Sequence, residues 1–251
     1  MRIAVVQYDI AWNDRDTNFA RLQPLIEQAA TDGAQLIVLP EMFSTGFVMD
    51  EDVAEETGGP SSRFLLRMAA STGAWVCGSC PETQPDDPRP FNCLVVASPD
   101  GTEHRYGKIH PFTHGGEHER FRAGDAHLTV RIHGMNVSFF VCYDLRFADE
   151  FWSLAPGTDV YVVPANWPAS RIDHWNVLAR ARAIENQAWL VACNRIGSGG
   201  GLDYPGRSQV IDPWGIVVAD AGENPTTLMV DTSPERVRQV RAKYPFLNDR
   251  R

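Results

Sequence analysis

The feature that most constrains this chain recurs along it: a short, almost wholly apolar run that stops abruptly at a proline, a charged residue or a cysteine. Leu36-Ile37-Val38-Leu39 stops at Pro40-Glu41, and Val137-Ser138-Phe139-Phe140-Val141 stops at Cys142-Tyr143-Asp144. Runs this short and continuous read as strands covered on both faces, since a solvated face would demand alternation. Met1 to Gln7, Trp75 to Gly78, Asn92 to Ala97, Leu128 to Ile132, Val160 to Val163, Trp189 to Ala192, Ser208 to Ile211, Ile216 to Ala219 and Thr227 to Val230 read as further strands, and Pro99-Asp100-Gly101 turns the chain into another at Glu103 to Tyr106.

Between them lie segments with helical spacing. Phe19, Leu22, Leu25, Ile26 and Ala29 mark a helix from about Arg15 to Ala30, capped by Asn13 or Asp14 and ended by Gly33. Ser61 to Ala70, Phe147 to Leu154, Ile172 to Gln187 and Pro234 to Lys243 read likewise. Because hairpins interrupt the strand-helix alternation, the sheets should be mixed, and two packed sheets with helices outside cover so many short strands most economically. No linker or compositional break divides the 251 residues, so one domain over 1–251 is expected.

A net charge of -9 with scattered basic residues argues against a nucleic-acid partner, and no apolar run reaches membrane-spanning length. Five cysteines, an odd number, and the absence of a signal-peptide pattern after Met1 point to a reducing cytoplasm rather than a disulfide framework.

Glu41, Lys108 and Cys142 each follow a strand, where ligands gather in layered α/β folds. By itself a strand-end cysteine is more often packing than chemistry. A thiol near its reference pKa of ~8.5 is mostly protonated at neutral pH, so a nucleophilic cysteine needs a base and a cation. Glu41 can supply the first and Lys108 the second; Lys108 and the backbone N–H of Tyr143 can also hold an oxyanion. The segment from Ile109 to Asp125, with its glycines and histidines, reads as a long functional loop.

Four strings in this order, Leu39-Pro40-Glu41-Met42-Phe43, Gly107-Lys108-Ile109-His110, Val141-Cys142-Tyr143-Asp144-Leu145-Arg146-Phe147 and Arg182-Ala183-Ile184-Glu185-Asn186-Gln187, resemble the nitrilase, or carbon-nitrogen hydrolase, superfamily. The resemblance spans essentially the whole chain. It implies a four-layer α-β-β-α sandwich, a homodimer, a Glu-Lys-Cys triad formed by Glu41, Lys108 and Cys142, and no metal or organic cofactor. It also implies a second catalytic glutamate in the loop after the lysine. Glu117 and Glu119 both fall there, and counting back seven positions from Gly124 favours Glu117.

Glu41 to Phe47, Gly115-Gly116-Glu117-His118 and Asn166-Trp167-Pro168-Ala169-Ser170-Arg171 are similar to the omega-amidase branch, which implies a small-molecule substrate bearing a terminal amide and a free carboxylate. Ala148 stands where the family has proline. For the carboxylate, Arg171 and Arg195 are the candidates, since guanidinium pairs bidentately. Phe43, Phe47 and Trp167 could wall an apolar pocket, while Arg146 reads as a structural ion-pair partner. Another amidase or an N-carbamoyl amino acid hydrolase of the same superfamily is the nearer alternative. A thiol redox protein using Cys77 and Cys80, or a non-catalytic binding protein, is the farther one. Pro81 after that C-x-x-C, and Pro111, Gly115 and Gly116 among His110, His114 and His118, argue against redox and metal sites. Ser198-Gly199-Gly200-Gly201 reads as a flexible surface loop.

Overall fold

Alternation within the first strand sets the layering. In β1 (Arg2–Gln7), Ile3 and Val5 enter one apolar cluster while Ala4 and Val6 enter another, as the two-residue period of a strand requires. The structure is a computed structural model that describes residues 1–49, 51–84 and 87–250, leaving out the side chains of residues 51, 87 and 88.

The first half continues with α1 (Arg15–Thr31), β2 (Leu36–Val38), β3 (Glu55–Glu56), α2 (Pro60–Thr72), β4 (Trp75–Gln84), β5 (Asp87–Ala97) and β6 (Glu103–Gly107). There follow α3 (Glu117–Arg120), β7 (Leu128–Ile132), β8 (Met135–Phe139), α4 (Ala148–Leu154), β9 (Val160–Ala165), α5 (Ile172–Asn186) and β10 (Trp189–Asn194). The chain closes with β11 (Ile196–Gly199), β12 (Leu202–Pro205), β13 (Gln209–Ile211), β14 (Val217–Asp220), β15 (Thr226–Asp231) and α6 (Pro234–Lys243).

One sheet runs β15-β1-β2-β4-β5-β6, with β3 added beside β4; the other runs β14-β13-β10-β9-β8-β7. Both are mixed. In the first, β1, β2 and β4 are parallel and the outer pairs antiparallel. In the second, β8, β9 and β10 are parallel. The inner faces meet in one cluster, Ile3, Val5, Leu36, Val38 and Val96 against Val130, Val137, Phe139 and Val162. The opposite face of the first sheet packs on Leu22 and Ile26 of α1 and Phe64, Leu65 and Met68 of α2. Trp175, Ala179 and Ala183 of α5, Phe151 of α4 and Val237 of α6 cover the second. The result is the expected four-layer α-β-β-α sandwich. Among the described residues no helix is long and apolar enough to cross a membrane.

Three local readings change. The strand beginning at Trp75 does not end at Gly78 but runs to Gln84, through Pro81. Its neighbour β2 stops at Val38, opposite Cys77, and β3 pairs only from Glu82, so no strand flanks the intervening stretch of β4 on that side and a residue without an N–H is tolerated at Pro81. Cys77 and Cys80 therefore lie in different clusters on opposite faces of one strand and cannot act as a redox pair. The Ser198-Gly201 run is not a loose loop either; it forms the turn of the β11-β12 hairpin. The long loop after Lys108 contains a 3-10 turn, Thr113–Gly115, and one α-helical turn, α3, entered through Gly116 in the left-handed region, φ +78°.

Gly78 and Ser79 have a different use. They seat the turn that carries Glu41: the Ser79 hydroxyl accepts from Met42 N at 2.9 Å and its carbonyl from Phe43 N at 3.0 Å. A Cβ on Gly78 would lie 2.8 Å from Phe43 Cδ1 and 3.0 Å from Leu39 Cβ, both in the buried turn. Gly78→Ala is therefore expected to cost about 2 kcal/mol by overpacking, lowering Tm by about 4–8 °C and reducing activity. A thermal melt and a rate measurement on the variant check both.

Candidate active site

Each reactive side chain comes from a turn at the carboxyl end of a strand, and each turn is held by identifiable bonds. Leu39 N donates to Cys77 O at 2.8 Å, and Met42 adopts a left-handed φ of +47° directly after Glu41. Lys108 leaves β6 with its N–H bonded to Asn92 O at 3.0 Å. Cys142 opens a 3-10 turn over Cys142–Arg146 and itself has φ +46°, a conformation a β-carbon makes unfavourable.

Asp144 holds that turn. Its carboxylate accepts from Val141 N at 2.9 Å, His110 N at 2.9 Å and the Tyr106 hydroxyl at 2.8 Å, tying the cysteine's turn to the segment after Lys108. Burial pushes the Asp144 carboxyl up to about 6, against the opposing pull of Lys108 and the three donors. From the other side Arg182 Nε donates to Leu145 O at 3.0 Å, which gives the Arg182 to Gln187 string its structural use.

These turns bring Glu41, Lys108 and Glu117 together, all essentially excluded from solvent. Lys108 Nζ lies 2.9 Å from Glu41 Oε1 and 2.8 Å from Glu117 Oε2. Asn92 Nδ2 bridges the same two carboxylates at 2.7 Å and 3.0 Å. The remaining Glu41 oxygen accepts from Asn166 N at 2.8 Å, and Phe112 N donates to Glu117 Oε2. Every carboxylate oxygen thus has a donor, the condition for keeping two buried anions around one cation. Burial alone would drive Lys108 toward neutrality, but Glu117 and Glu41 outweigh it and hold the ammonium charged.

Cys142 sits at the edge of this cluster. Burial first, then the Glu41 carboxylate, pushes its thiol well above the ordinary range, with Lys108 acting in the opposite direction. A free thiolate beside two carboxylates and one ammonium would leave the cluster at -2. The favourable way to ionise the sulfur is therefore to move its proton onto Glu41. Within the 3-10 turn the first bond is Asp144 N to Val141 O, so the N–H of Tyr143 has no partner inside the turn.

A cavity of about 320 Å3 opens above the cysteine, at the small end of ligand pockets. Glu41, Lys108, Cys142, Tyr143 and Asn166 contribute its polar floor; Phe47, Trp167, Phe112 and Trp12 contribute aromatic walls. Of the substrate-binding candidates, Phe47, Trp167 and Arg171 line it and Phe43 and Arg195 do not. Phe43 is instead buried in the helix-facing core against Phe19 and Phe64, its ring packed over Gly78, where the missing Cβ leaves it room. Arg195 is wholly buried under the β11-β12 hairpin, bonded to Asp9 Oδ1, Ile10 O and Ser198 O and stacked on Tyr204.

Arg146, read from sequence as an ion-pair partner, has no carboxylate at ion-pair distance among the described residues. Its guanidinium lies 4.8 Å from the Trp167 ring centre and bonds His174 Nδ1 at 3.2 Å, so it lines the cavity as a charge carried on an aromatic face. Arg171 is placed similarly, 5.1 Å from the Phe112 ring. Sequence reasoning passed over Asn92 and Asn166 as site residues; a polar residue opening an otherwise apolar strand at Asn92 was the available signal.

The electrostatics give a pH test with a definite sign. Since Glu41 raises the Cys142 pKa and Lys108 lowers it, Glu41→Gln should shift the alkylation profile of Cys142 to lower pH while cutting turnover by about 10²–10⁴-fold. Iodoacetamide labelling rates across pH, read beside turnover, check the two opposed effects.

Comparison with known proteins places this arrangement. The family model for carbon-nitrogen hydrolases matches residues 2–242. An omega-amidase, YafV, of Escherichia coli K12 is 35% identical over 99% of this chain and 96% of its own length. A 2-oxoglutaramate amidase of Bacillus subtilis is 31% identical over 98% of this chain and 96% of its own. A solved protein from Xanthomonas campestris, described as a CN-hydrolase superfamily protein with an arsenic adduct in its active site, superposes with a TM-score of 0.94. It is 35% identical, covering 100% of this chain and 97% of the other.

Proposed function

We propose, from its place in the carbon-nitrogen hydrolase family, to which this chain belongs, that it acts as an omega-amidase. It would convert the terminal amide of 2-oxoglutaramate or 2-oxosuccinamate to the 2-oxo dicarboxylic acid and ammonia. The observation that carries this reading is the combination of a buried Glu41-Lys108-Glu117 cluster with a cysteine at its edge, under a small cavity that the guanidinium-bearing Arg146 and Arg171 also line.

In the proposed mechanism Cys142 Sγ attacks the amide carbon as its proton passes to Glu41. The carbonyl oxygen becomes an oxyanion held by the Lys108 ammonium and the Tyr143 N–H. Collapse breaks the C–N bond while Glu41 returns the proton to nitrogen, so ammonia leaves and a thioester remains. Water then attacks the thioester, Glu41 takes its proton, and the thiol recovers that proton as the acid departs. Glu117 fixes Lys108 and, through Asn92, the orientation of Glu41.

For the distal carboxylate the reading assigns Arg171 together with Arg146, both on the cavity wall, in place of Arg195. Trp167 and Phe47 exclude water from the thioester. One carbon-nitrogen hydrolase domain extends across the chain, and we place it in the cytoplasm as a homodimer; five free cysteines, four of them buried, are consistent with that compartment. An N-carbamoyl amino acid hydrolase would use the same catalytic set and is separated by substrate alone.

Ammonia release from 2-oxoglutaramate, succinamate, glutamine and N-carbamoyl amino acids tests the assignment. The 2-oxo amides are expected to give the highest kcat/KM, and a preference for N-carbamoyl substrates would overturn it. Arg171→Met should lower kcat/KM for 2-oxoglutaramate by about 10–100-fold, the equivalent of one charged hydrogen-bond partner. The loss should be much smaller on neutral butyramide.

A further inference from the structure

The cavity has a floor and a mouth made by different parts of the chain. Glu41 and Lys108 on its floor are buried and Cys142 is half-buried, whereas Leu202, on β12 at the mouth, is 47% exposed. Beside Leu202 the wall is formed by Trp12, Met49 and Gly200, from the β1-α1 connection, the segment after Phe47 and the β11-β12 turn. None of these elements supplies a catalytic group.

Trp12 is gripped there by glycines from two separate loops. A Cβ on Gly46 would come within 2.9 Å of the indole, one on Gly199 within 2.4 Å and one on Gly200 within 2.6 Å. A side chain at any of these three places would overlap the indole, so the ring packs directly against bare backbone. Gly46 and Gly200 also have φ of +75° and +58°, conformations glycine adopts without strain. The loops themselves are fixed. Asn13 N, next to the tryptophan, bonds Thr45 O at 2.7 Å, and four paired positions join β11 to β12.

We infer that Trp12, clamped by Gly46, Gly199 and Gly200, is the length-determining wall of the acyl site, restricting the enzyme to short linear amides. A flexible surface residue could move aside for a longer acyl chain. An indole packed on three glycines of two hydrogen-bonded loops, though half-buried, cannot move toward either loop, so a chain that outgrows the cavity meets a restrained surface. This inference rests on the amidase reading, and it names the residue by which that site selects among amides.

The test compares wild type, Trp12→Ala and Trp12→Phe on two series. One comprises monoamides of five-, seven- and nine-carbon dicarboxylic acids; the other comprises neutral primary amides of four, six and eight carbons. Wild type should favour the shortest member of each. Trp12→Ala should raise the long-to-short ratio of kcat/KM by about tenfold or more, in the range expected of a pocket wall that meets one or two methylenes, with Trp12→Phe intermediate. If the alanine variant does not fold, the phenylalanine variant carries the comparison. A ratio within twofold of wild type in a folded variant overturns the inference, as does a wild type without length preference. Failure of the omega-amidase reading would appear separately, as turnover of the neutral series without preference for the dicarboxylic one.

Discussion

The interaction on which this structure depends is the ion cluster of Glu41, Lys108 and Glu117, buried beyond the carboxyl ends of the strands with almost no exposure to solvent. Removing one member of a buried ion set costs about 3–5 kcal/mol because the others are left uncompensated. Such a cluster persists only if its surroundings complete it. Asn92 joins the two carboxylates, and the backbone N–H groups of Asn166 and Phe112 take the remaining acceptor capacity. The strand-end turns, the left-handed residues Met42 and Cys142, and the anchor at Asp144 all position groups around this one charge arrangement.

From that cluster the chemistry follows. Lys108 is held charged, so it can stabilise an oxyanion but does not serve as a base at neutral pH. Glu41 is the carboxylate whose charge keeps the Cys142 proton in place, and hence the group to which that proton can pass. The cysteine need not ionise in advance. In the proposed mechanism its activation is a transfer to Glu41 within the cluster, which requires no net change in buried charge.

Much of this was legible in the sequence because it is written in local patterns. Apolar runs that stop at Glu41 and Cys142 marked the strand ends, and the spacing of Phe19, Leu22 and Ile26 marked a buried helix face. What escaped depends on contacts between distant segments. Phe43 and Phe47 have the same side chain four residues apart, yet one packs into the core and the other walls the cavity; only the turn geometry separates them. Arg195 and Arg171 looked equivalent until Asp9 and two carbonyls claimed the first. Gly78-Ser79 resembled part of a redox motif, whereas its use is to seat the Glu41 turn. Asn92, the bridge between the glutamates, carried no local pattern beyond its polarity.

The central claim is that Cys142 forms a covalent acyl intermediate within this cluster. Acid quenching during steady-state turnover of 2-oxoglutaramate, followed by mass analysis of the peptide containing Cys142, tests it most directly. The expected result is an adduct equal to substrate less ammonia on Cys142, absent from Cys142→Ala, which should release no ammonia. Ammonia release by Cys142→Ala at the wild-type rate, or an acyl group carried on another residue, would contradict the account.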